Sequence, residues 1–506
     1  MKKTIKTLSL ILAFLMVSFV AAGCKKKNEQ PAESTVSTET KVYGEYGCEI
    51  PDGLNFGDTE VTILCRDAIG QSDEFVSAGM TSNIISDAVY TRNLAVEGML
   101  GVKLKQIPMK DSVENNHSTV IMEMRTSVLG GTDDYNIVAA PLYTMMNLLP
   151  EGMYYDLKTV DYLNLDKYYW AQGFNKWAKI GNSQYIATGS VALSLYRFMY
   201  VTVYNNEFFK NNGLEDIYDL VKSNSWTIEK QKQMVADLYD DTGSVAGSRD
   251  EKDQYGFVSG ARTTVDAYLE AWNLNFIGRS SDGFYSYNSS LNKFSGIADQ
   301  MLELFYDKEG SYIIPYSKDN TDNADILKIF SNEKTAMATM KIQAIETGLR
   351  NQAFEYSIAP LPKYDSNQEN YGTLVQDQVT ALAVPVTVSK ENSAMIGAVM
   401  EALASESYKN TYPAYFETAL SYQYLQNEES VEMLKVIYES VGFQTIFSCY
   451  ATGVSLNSIL REVANSEVNT ISHQLASYKN IASDVEEYNQ KLKDMIAKQA
   501  AQENKQ

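Results

Sequence analysis

Between residues 59 and 157 the chain switches repeatedly between two hydrophobic periods, and the order of those switches restricts its fold more than any other feature. "TEVTILCR" alternates, with Val61, Ile63 and Cys65 on one side and Arg66 at its end, the period-two signature of a strand. "SNIISDAVYTRNLAVEGMLG" places Ile84, Ile85, Ala88, Val89, Arg92, Val96, Met99 and Leu100 at helical spacing, with Gly101 as a stop. "VKLKQIPM" alternates again, "STVIMEMRTSVLGG" is helical and closes on Gly130-Gly131, "YNIVAAP" is a short buried strand, and "LYTMMNLLPEGMYYDL" begins a third helical stretch. Strands and helices in strict alternation predict a parallel sheet with right-handed crossovers. Ligands of such sheets bind outside the carboxyl ends of the strands. Those ends are Arg66 and Asp67 after the first strand and Pro141 to Tyr143 after the third.

A second α/β stretch follows. "MYVTVYNNEFF" reads as a strand entering a helix, and "SWTIEKQKQMVADLYDDTG" as a helix with Thr227 as N-cap, Glu229 in its first turn and Gly243 at its end. "ILKIFSNEKTAMATM" is a helix, a polar turn and a small-residue strand; "EYSIAPLPKYDSNQENYG" is a strand opening into a polar loop; "VTALAVPVTV" is a strand broken at Pro385. The chain closes on "LASYKNIASDVEEYNQKLKDMI", where Leu475, Tyr478, Ile481, Val485, Tyr488, Leu492 and Met495 form one apolar stripe on a long amphipathic helix.

The N-terminus has a different character. Lys2, Lys3 and Lys6 precede an apolar run from Leu8 to Val20, too short to span a bilayer but built like a secretory leader. Ala21, Ala22 and Gly23 then lead to Cys24, the small-residue end of a cleavable signal over residues 1–23. Residues 24–56 open with Cys24 and three lysines and contain little to bury. They are expected to form a disordered tether, because such a segment cannot offset the entropy of ordering. About 450 residues remain, enough for two or three domains.

The chain carries 43 basic and 64 acidic residues, and loss of the leader makes it more acidic still. Phosphate backbones would repel it, which argues against nucleic acid as a partner. It has two histidines, His117 and His473, and beyond Cys24 only Cys48, Cys65 and Cys449. Several-ligand zinc sites and Ser-His-Asp triads are therefore poorly supported, and no metal or cofactor is expected. Cys48 and Cys65 are open to two readings, a disulfide or a buried free thiol at Cys65. Tyrosine is abundant, at 35 residues with 18 Phe and 4 Trp, a composition suited to extracellular recognition and sugar stacking.

The stretch "FSNEKTAMATMKIQAIETGLRNQAFEYSIAPLPKYDSNQENYG" resembles the extracellular solute-binding proteins of ABC importers, family 1, the group that includes maltose-binding protein. "DAVYTRNLAVEGMLGVKL", "DDYNIV", "YYDLKTVDYLNLDKYYW", "NSWTIEK" and "ALASESYKNTYPAYFETAL" agree with it in order and spacing, from about residue 57 to about residue 490. "VAAGC" resembles the bacterial lipobox, which implies acylation at Cys24 and an extracytoplasmic, membrane-anchored protein. The resemblance implies an α/β, two-lobed periplasmic-binding-protein-like (type II) fold. Each lobe would be a mainly parallel sheet flanked by helices, with the ligand cleft between the lobes and a hinge closing over it. Lobe one would comprise 57–198 with 375–440, and lobe two 199–374 with 441–506. The partners implied are a small-molecule solute, expected to be a mono- or oligosaccharide, and the transmembrane subunits of an ABC permease; a monomer is expected.

Sugar sites combine aromatic platforms with planar acid, amide or guanidinium groups. Strand ends and crossings offer Asp67, Tyr143 and Asp377; Trp170 sits where relatives carry a tryptophan pair, here Tyr169-Trp170; and Trp272 lies on a helical face of the second lobe. One departure stands out: maltose-binding protein has Gly-Pro-Trp after the "AMATM" strand, and this chain has Lys341-Ile342-Gln343. The leading expectation is capture without turnover. A surface sensor or adhesin, and a secreted carbohydrate-active enzyme with two carboxylates roughly 5–10 Å apart, are the other classes the sequence admits.

Overall fold

The computed structural model describes residues 48–503 apart from 49, 52, 76, 78, 111–117, 244–248, 275, 289–290, 316–321, 426, 453–455 and 478–479. Residues 1–47, which hold the expected leader, Cys24 and most of the tether expected over 24–56, lie outside the described residues, as does His117; at the end of that span Cys48 and Ile50 are buried in an apolar cluster. Among those described, no helix is long and apolar enough to cross a membrane, and no three His, Cys, Asp or Glu side chains gather as a metal site would require.

The alternating N-terminal segment forms β1 (Thr59–Asp67), α1 (Ile84–Leu100), β2 (Val102–Lys110), α2 (Thr119–Gly130), β3 (Ile137–Pro141) and α3 (Leu142–Leu148). Local chemistry sets these limits. Asn83 Oδ1 accepts from the Ile85 and Ser86 amides, 3.0 and 3.1 Å away, at the start of α1. Gly101 ends that helix in the left-handed conformation, φ 60°, which glycine adopts without a Cβ penalty.

The second segment supplies β4 (Tyr200–Asn205), α4 (Ile228–Val235), β5 (Tyr255–Gly260), α5 (Thr263–Ala271), β6 (Ser311–Ile314), α6 (Asp322–Ser331), β7 (Thr335–Lys341) and β8 (Tyr356–Ala359). Next come β9 (Thr380–Ala383), α7 (Lys390–Glu406), α8 (Glu428–Glu439), α9 (Gln444–Ala451), α10 (Leu456–Ser466) and α11 (Ile481–Glu503). The strands form two main sheets. The first has the order β9-β3-β1-β2, with β1 parallel to β2 and β3, and β9 antiparallel at the edge. The second has the order β6-β5-β7-β4-β8, with β6, β5 and β7 parallel and β4 antiparallel to both its neighbours. This is the two-lobed α/β architecture expected, with parallel centres and antiparallel flanks.

Two extended segments cross between the sheets side by side. Ala187 and Leu382 exchange backbone hydrogen bonds of 3.0 and 2.7 Å, and the Gln376 amide donates to Phe198 O at 3.0 Å. The first crossing continues into β4 and the second into β9, so each sheet receives an antiparallel strand from the double crossing. A third passage, two π-helical turns at Ser407–Thr411 and Ala414–Leu425, runs from α7 past α1 to α8. There Tyr408, Tyr412 and Phe416 stack at i, i+4 spacing, with ring centroids 5.5 and 5.1 Å apart. Helix α8 lies against β8 of the second sheet, where Ser430 Oγ accepts from the Ile358 amide.

Two local expectations change, and the open question of Cys48 and Cys65 is answered. The helix read as running to Gly243 ends at Val235, because Asp240 leaves it to exchange backbone hydrogen bonds of 3.1 and 3.0 Å with Gln254. The long C-terminal helix is interrupted: Ile471–Ser477 is one helix and α11 another. Cys48 and Cys65 are both free and both buried in one apolar cluster, and burial pushes each thiol up to about 12. His473 is exposed on its helix.

Candidate functional site

The carboxyl edges of both sheets open toward the double crossing. β1 delivers Arg66 and Asp67 there. β3 delivers Pro141, and α3 begins at once with Leu142 and Tyr143, whose amides donate to Val379 O at 2.8 Å and Asp377 O at 3.2 Å. From the second sheet, β7 ends on Lys341, in register with Tyr200 of β4. Residues 374–378 of the returning chain run between these edges.

Arg66 donates from Nη1 to Gln71 Oε1 at 3.1 Å and to Gln378 Oε1 at 2.9 Å. Lys341 Nζ donates to Gln376 Oε1 at 3.0 Å and stands 5.0 Å from the Phe198 ring centroid. Arg461 of α10 donates through Nε to Asp266 Oδ1 at 2.8 Å and through Nη2 to Asp266 Oδ2, a bidentate pair of the stronger kind. Burial pushes Asp377 up to about 6; Asp266 adds to that shift, and Arg461, Arg66 and Lys341 oppose it. Burial likewise pulls Lys341 down to about 8, against the pull of Asp377 and with the push of Arg66. For Arg461 burial disfavours the charge, yet the Asp266 carboxylate holds the guanidinium above its ordinary value. Three cations and two carboxylates thus act on one another across the lobe junction, a concentration of perturbed groups of the kind that marks functional sites.

Two hollows adjoin this cluster. One of about 30 Å³ is lined by Asp266, Gln376, Asp377, Cys449 and Tyr450 with three neighbours, and holds little more than a water. The other, about 290 Å³, lies at the carboxyl end of β5 between Ala261, Arg262, Ser458, Arg461, Glu462 and Asn465. Asp266 lines the first and its partner Arg461 the second. A roomier hollow of about 500 Å³, around Tyr364, Glu369 and Tyr371, is lined only by residues 270–293, 364–372 and 440. Size favours that hollow as a site, but position favours the junction. Only there do strand ends of both sheets and the crossing segments converge, and α/β folds bind ligands at such places.

Of the residues singled out from sequence, the structure brings Asp67, Tyr143 and Asp377 to the junction, all half-buried. It places Trp170 and Trp272 elsewhere. Trp170 is 1% exposed in the first lobe's core and donates Nε1 to Glu401 Oε2 at 3.0 Å. Trp272 is fully buried, donates to Pro362 O at 3.2 Å and packs on Tyr268 and Tyr364. Neither indole face is open to a solute. Sequence reasoning passed over Asp266, Arg461 and Tyr450. An Asp in a helix's first turn and an Arg on an amphipathic helix 195 positions later carry no local signal that they meet.

No protein-family profile and no curated protein matches the chain. Solved structures do. An ABC substrate-binding protein from Listeria monocytogenes in complex with cycloalternan aligns over 84% of this chain and 98% of its own, at 15% identity and a TM-score of 0.52. The galacto-N-biose-/lacto-N-biose I-binding protein of the ABC transporter from Bifidobacterium longum, in complex with lacto-N-biose, aligns over 87% and 98%, at 12% identity and a TM-score of 0.52. A sugar transporter from Rhizobium etli in an open conformation aligns over 86% and 99%, at 14% and 0.51. The chain has the two-lobed fold of the ABC solute-binding proteins, nearly end to end; at these identities the likeness is one of fold.

Proposed function

We propose that the protein is an extracytoplasmic solute receptor of an ABC importer. In this reading it is held at the membrane by a lipid on Cys24, acts as a monomer, captures a sugar or polyol between its lobes and delivers it to permease subunits. The observation that carries this reading is the convergence of both sheets' carboxyl edges on a double crossing lined with guanidinium, carboxylate, amide and tyrosine groups. Those are the groups that match vicinal hydroxyls. The fold's solved relatives that hold cycloalternan and lacto-N-biose support the same class of cargo. The lobe division at 199 and 375 belongs to the proposal, with the double crossing as hinge.

Binding here is a shift of population: a solute with more contacts in the closed form than in the open one draws the lobes together. The inner hollow is too small for a sugar, so the lobes must part to admit one. Isothermal calorimetry and thermal unfolding against a panel of sugars, polyols, amino acids and peptides test this. One sugar or polyol class should raise Tm by several degrees at a thousand times its Kd, a stabilisation of about 4 kcal/mol, and be recovered unaltered. A shift only from amino acids or peptides would overturn the carbohydrate reading, and consumption of the sugar would overturn the receptor reading.

A further inference from the structure

Resting on that reading, we propose that the captured solute is an acidic sugar, and that its carboxylate docks between Lys341 of the second lobe and Arg66 of the first. The argument begins with how this chain treats its other recessed lysines. An ammonium has three hydrogens to donate and no acceptor. Lys232, 3% exposed at its side chain, meets Glu229 at 2.9 Å, Glu303 at 2.5 Å and Gln300 at 2.9 Å. Lys363, fully buried, donates to Asn224 O, Asn224 Oδ1 and Gln368 O at 2.7–2.9 Å. Each has three oxygen partners. Lys341 has one, Gln376 Oε1, and no ion pair among the described residues.

Its position prevents retreat. Lys341 is the last residue of β7, and its backbone is held in register opposite Tyr200; the Phe198 ring covers one side of the ammonium. The charged groups that act on it are Asp377, which favours the charge from beyond ion-pair distance, and Arg66, which opposes it. With burial the larger influence, the solute-free site holds a cation at a disadvantage that an arriving anion would remove. A neutral hydroxyl can fill a hydrogen-bond position but cannot supply the charge. A carboxylate supplies both, and its two oxygens suit an ammonium on one side and a guanidinium fork on the other. Because Arg66 and Lys341 belong to opposite lobes, one carboxylate between them also draws the lobes together. Asp377 and Gln376 are left for the sugar's hydroxyls, the carboxylate group being the part that sets specificity.

The test is calorimetric titration of the full chain, in detergent where it is lipidated. The probes are glucuronate, galacturonate and their short oligomers, against glucose, galactose and the matching neutral oligomers. An acidic member should bind, Lys341→Met should weaken it by at least about tenfold, and Lys341→Arg should retain most of the affinity. Binding at pH 8.5, compared in buffers of different ionisation heat, should take up a proton in the wild type and not in K341M, since the carboxylate restores the charge on Lys341. That readout would not move if the lysine were merely structural. Binding of neutral members alone, or wild-type affinity in K341M, would overturn the acidic-sugar assignment and leave the receptor reading standing. Binding by no member of either set would count against both.

Discussion

Glu74 shows how much one buried side chain ties together at the double crossing. Fully buried, it accepts from the Ser194 amide of the first crossing and from Thr380 Oγ1 of the second, each at 2.5 Å. Burial pushes its carboxyl up to about 7 from an ordinary 4.5, and the hydrogen bonds and Arg197 only partly resist. Between those values the folded protein holds a proton that the unfolded chain releases. Glu74 therefore contributes most to stability below about pH 4.5, and the contribution is lost as pH rises through about 7. Glu74→Gln should flatten the fall of Tm with pH across that window, a difference on the order of a few kcal/mol; parallel Tm profiles for the two proteins would remove Glu74 from the pH response. At this scale the sequence showed strand ends well. Arg66, Asp67 and Tyr143 were legible because a strand's carboxyl end follows directly from its pattern, and Asp377 because it falls at the return crossing that the family resemblance implied. The tryptophans were not, because a large aromatic on a helical face looks the same whether it faces a cleft or a core. For Trp170 and Trp272, acceptors at Glu401 and Pro362 decide for the core.

Elements follow their patterns where neighbours agree with them. The apolar stripe is buried at Ile481, Val485, Leu492 and Met495 of α11 and half-buried at Tyr488, while the side chains of Leu475 and Tyr478 lie outside those described. The helix lies on the hairpin of strands Ile277–Arg279 and Tyr285–Tyr287, where Asn489 exchanges hydrogen bonds with the Tyr285 backbone. Its far end reaches the first lobe, where Gln499 donates to Tyr154 O at 2.9 Å. Leu492→Ala, at a fully buried position, should cost about 2–4 kcal/mol, read as a lower urea midpoint at unchanged m-value; a loss under about 0.5 kcal/mol would mean that the helix is not part of the cooperative unit. The early end of α4 has its own marker. Gly310 lies so close to that helix that a Cβ would overlap the Val235 carbonyl oxygen, and backbone cannot yield as a side chain end can. Gly310→Ala should destabilise by about 1–3 kcal/mol by the same measurement; wild-type stability would show that the helix end can move aside.

At the scale of the whole molecule, an ion cluster around Arg197 joins the lobes. Arg197 of the first crossing, 3% exposed at its side chain, reaches Asp73 at 2.6 and 3.0 Å and Glu346 at 3.0 Å twice. Asp73 follows β1 in the first lobe, and Glu346 lies beyond β7 in the second. Parting the lobes would separate Arg197 from one of them. Glu346→Gln leaves the Asp73 pair intact and weakens the link on the second lobe's side, so the population with parted lobes should rise. Small-angle scattering of the solute-free protein should then give a larger radius of gyration than wild type; an unchanged value would show that this cluster does not hold the lobes.

The sequence by itself determined the two α/β segments, most helix and strand limits, and the strand ends where a ligand would sit. Periodicity, caps and turn residues act over a few positions and need no distant partner. Only the tertiary structure decided which polar groups meet. Arg461 with Asp266, Arg197 with Asp73 and Glu346, and Glu74 with Ser194 and Thr380 are pairings across 120 to 306 positions. Lys341 was visible in the sequence only as the first residue of Lys341-Ile342-Gln343, where the family's aromatic is missing; its single hydrogen bond and its place at the lobe junction were not. Long-range pairing depends on how two sheets are set by the chain that crosses between them, and no local pattern encodes that distance.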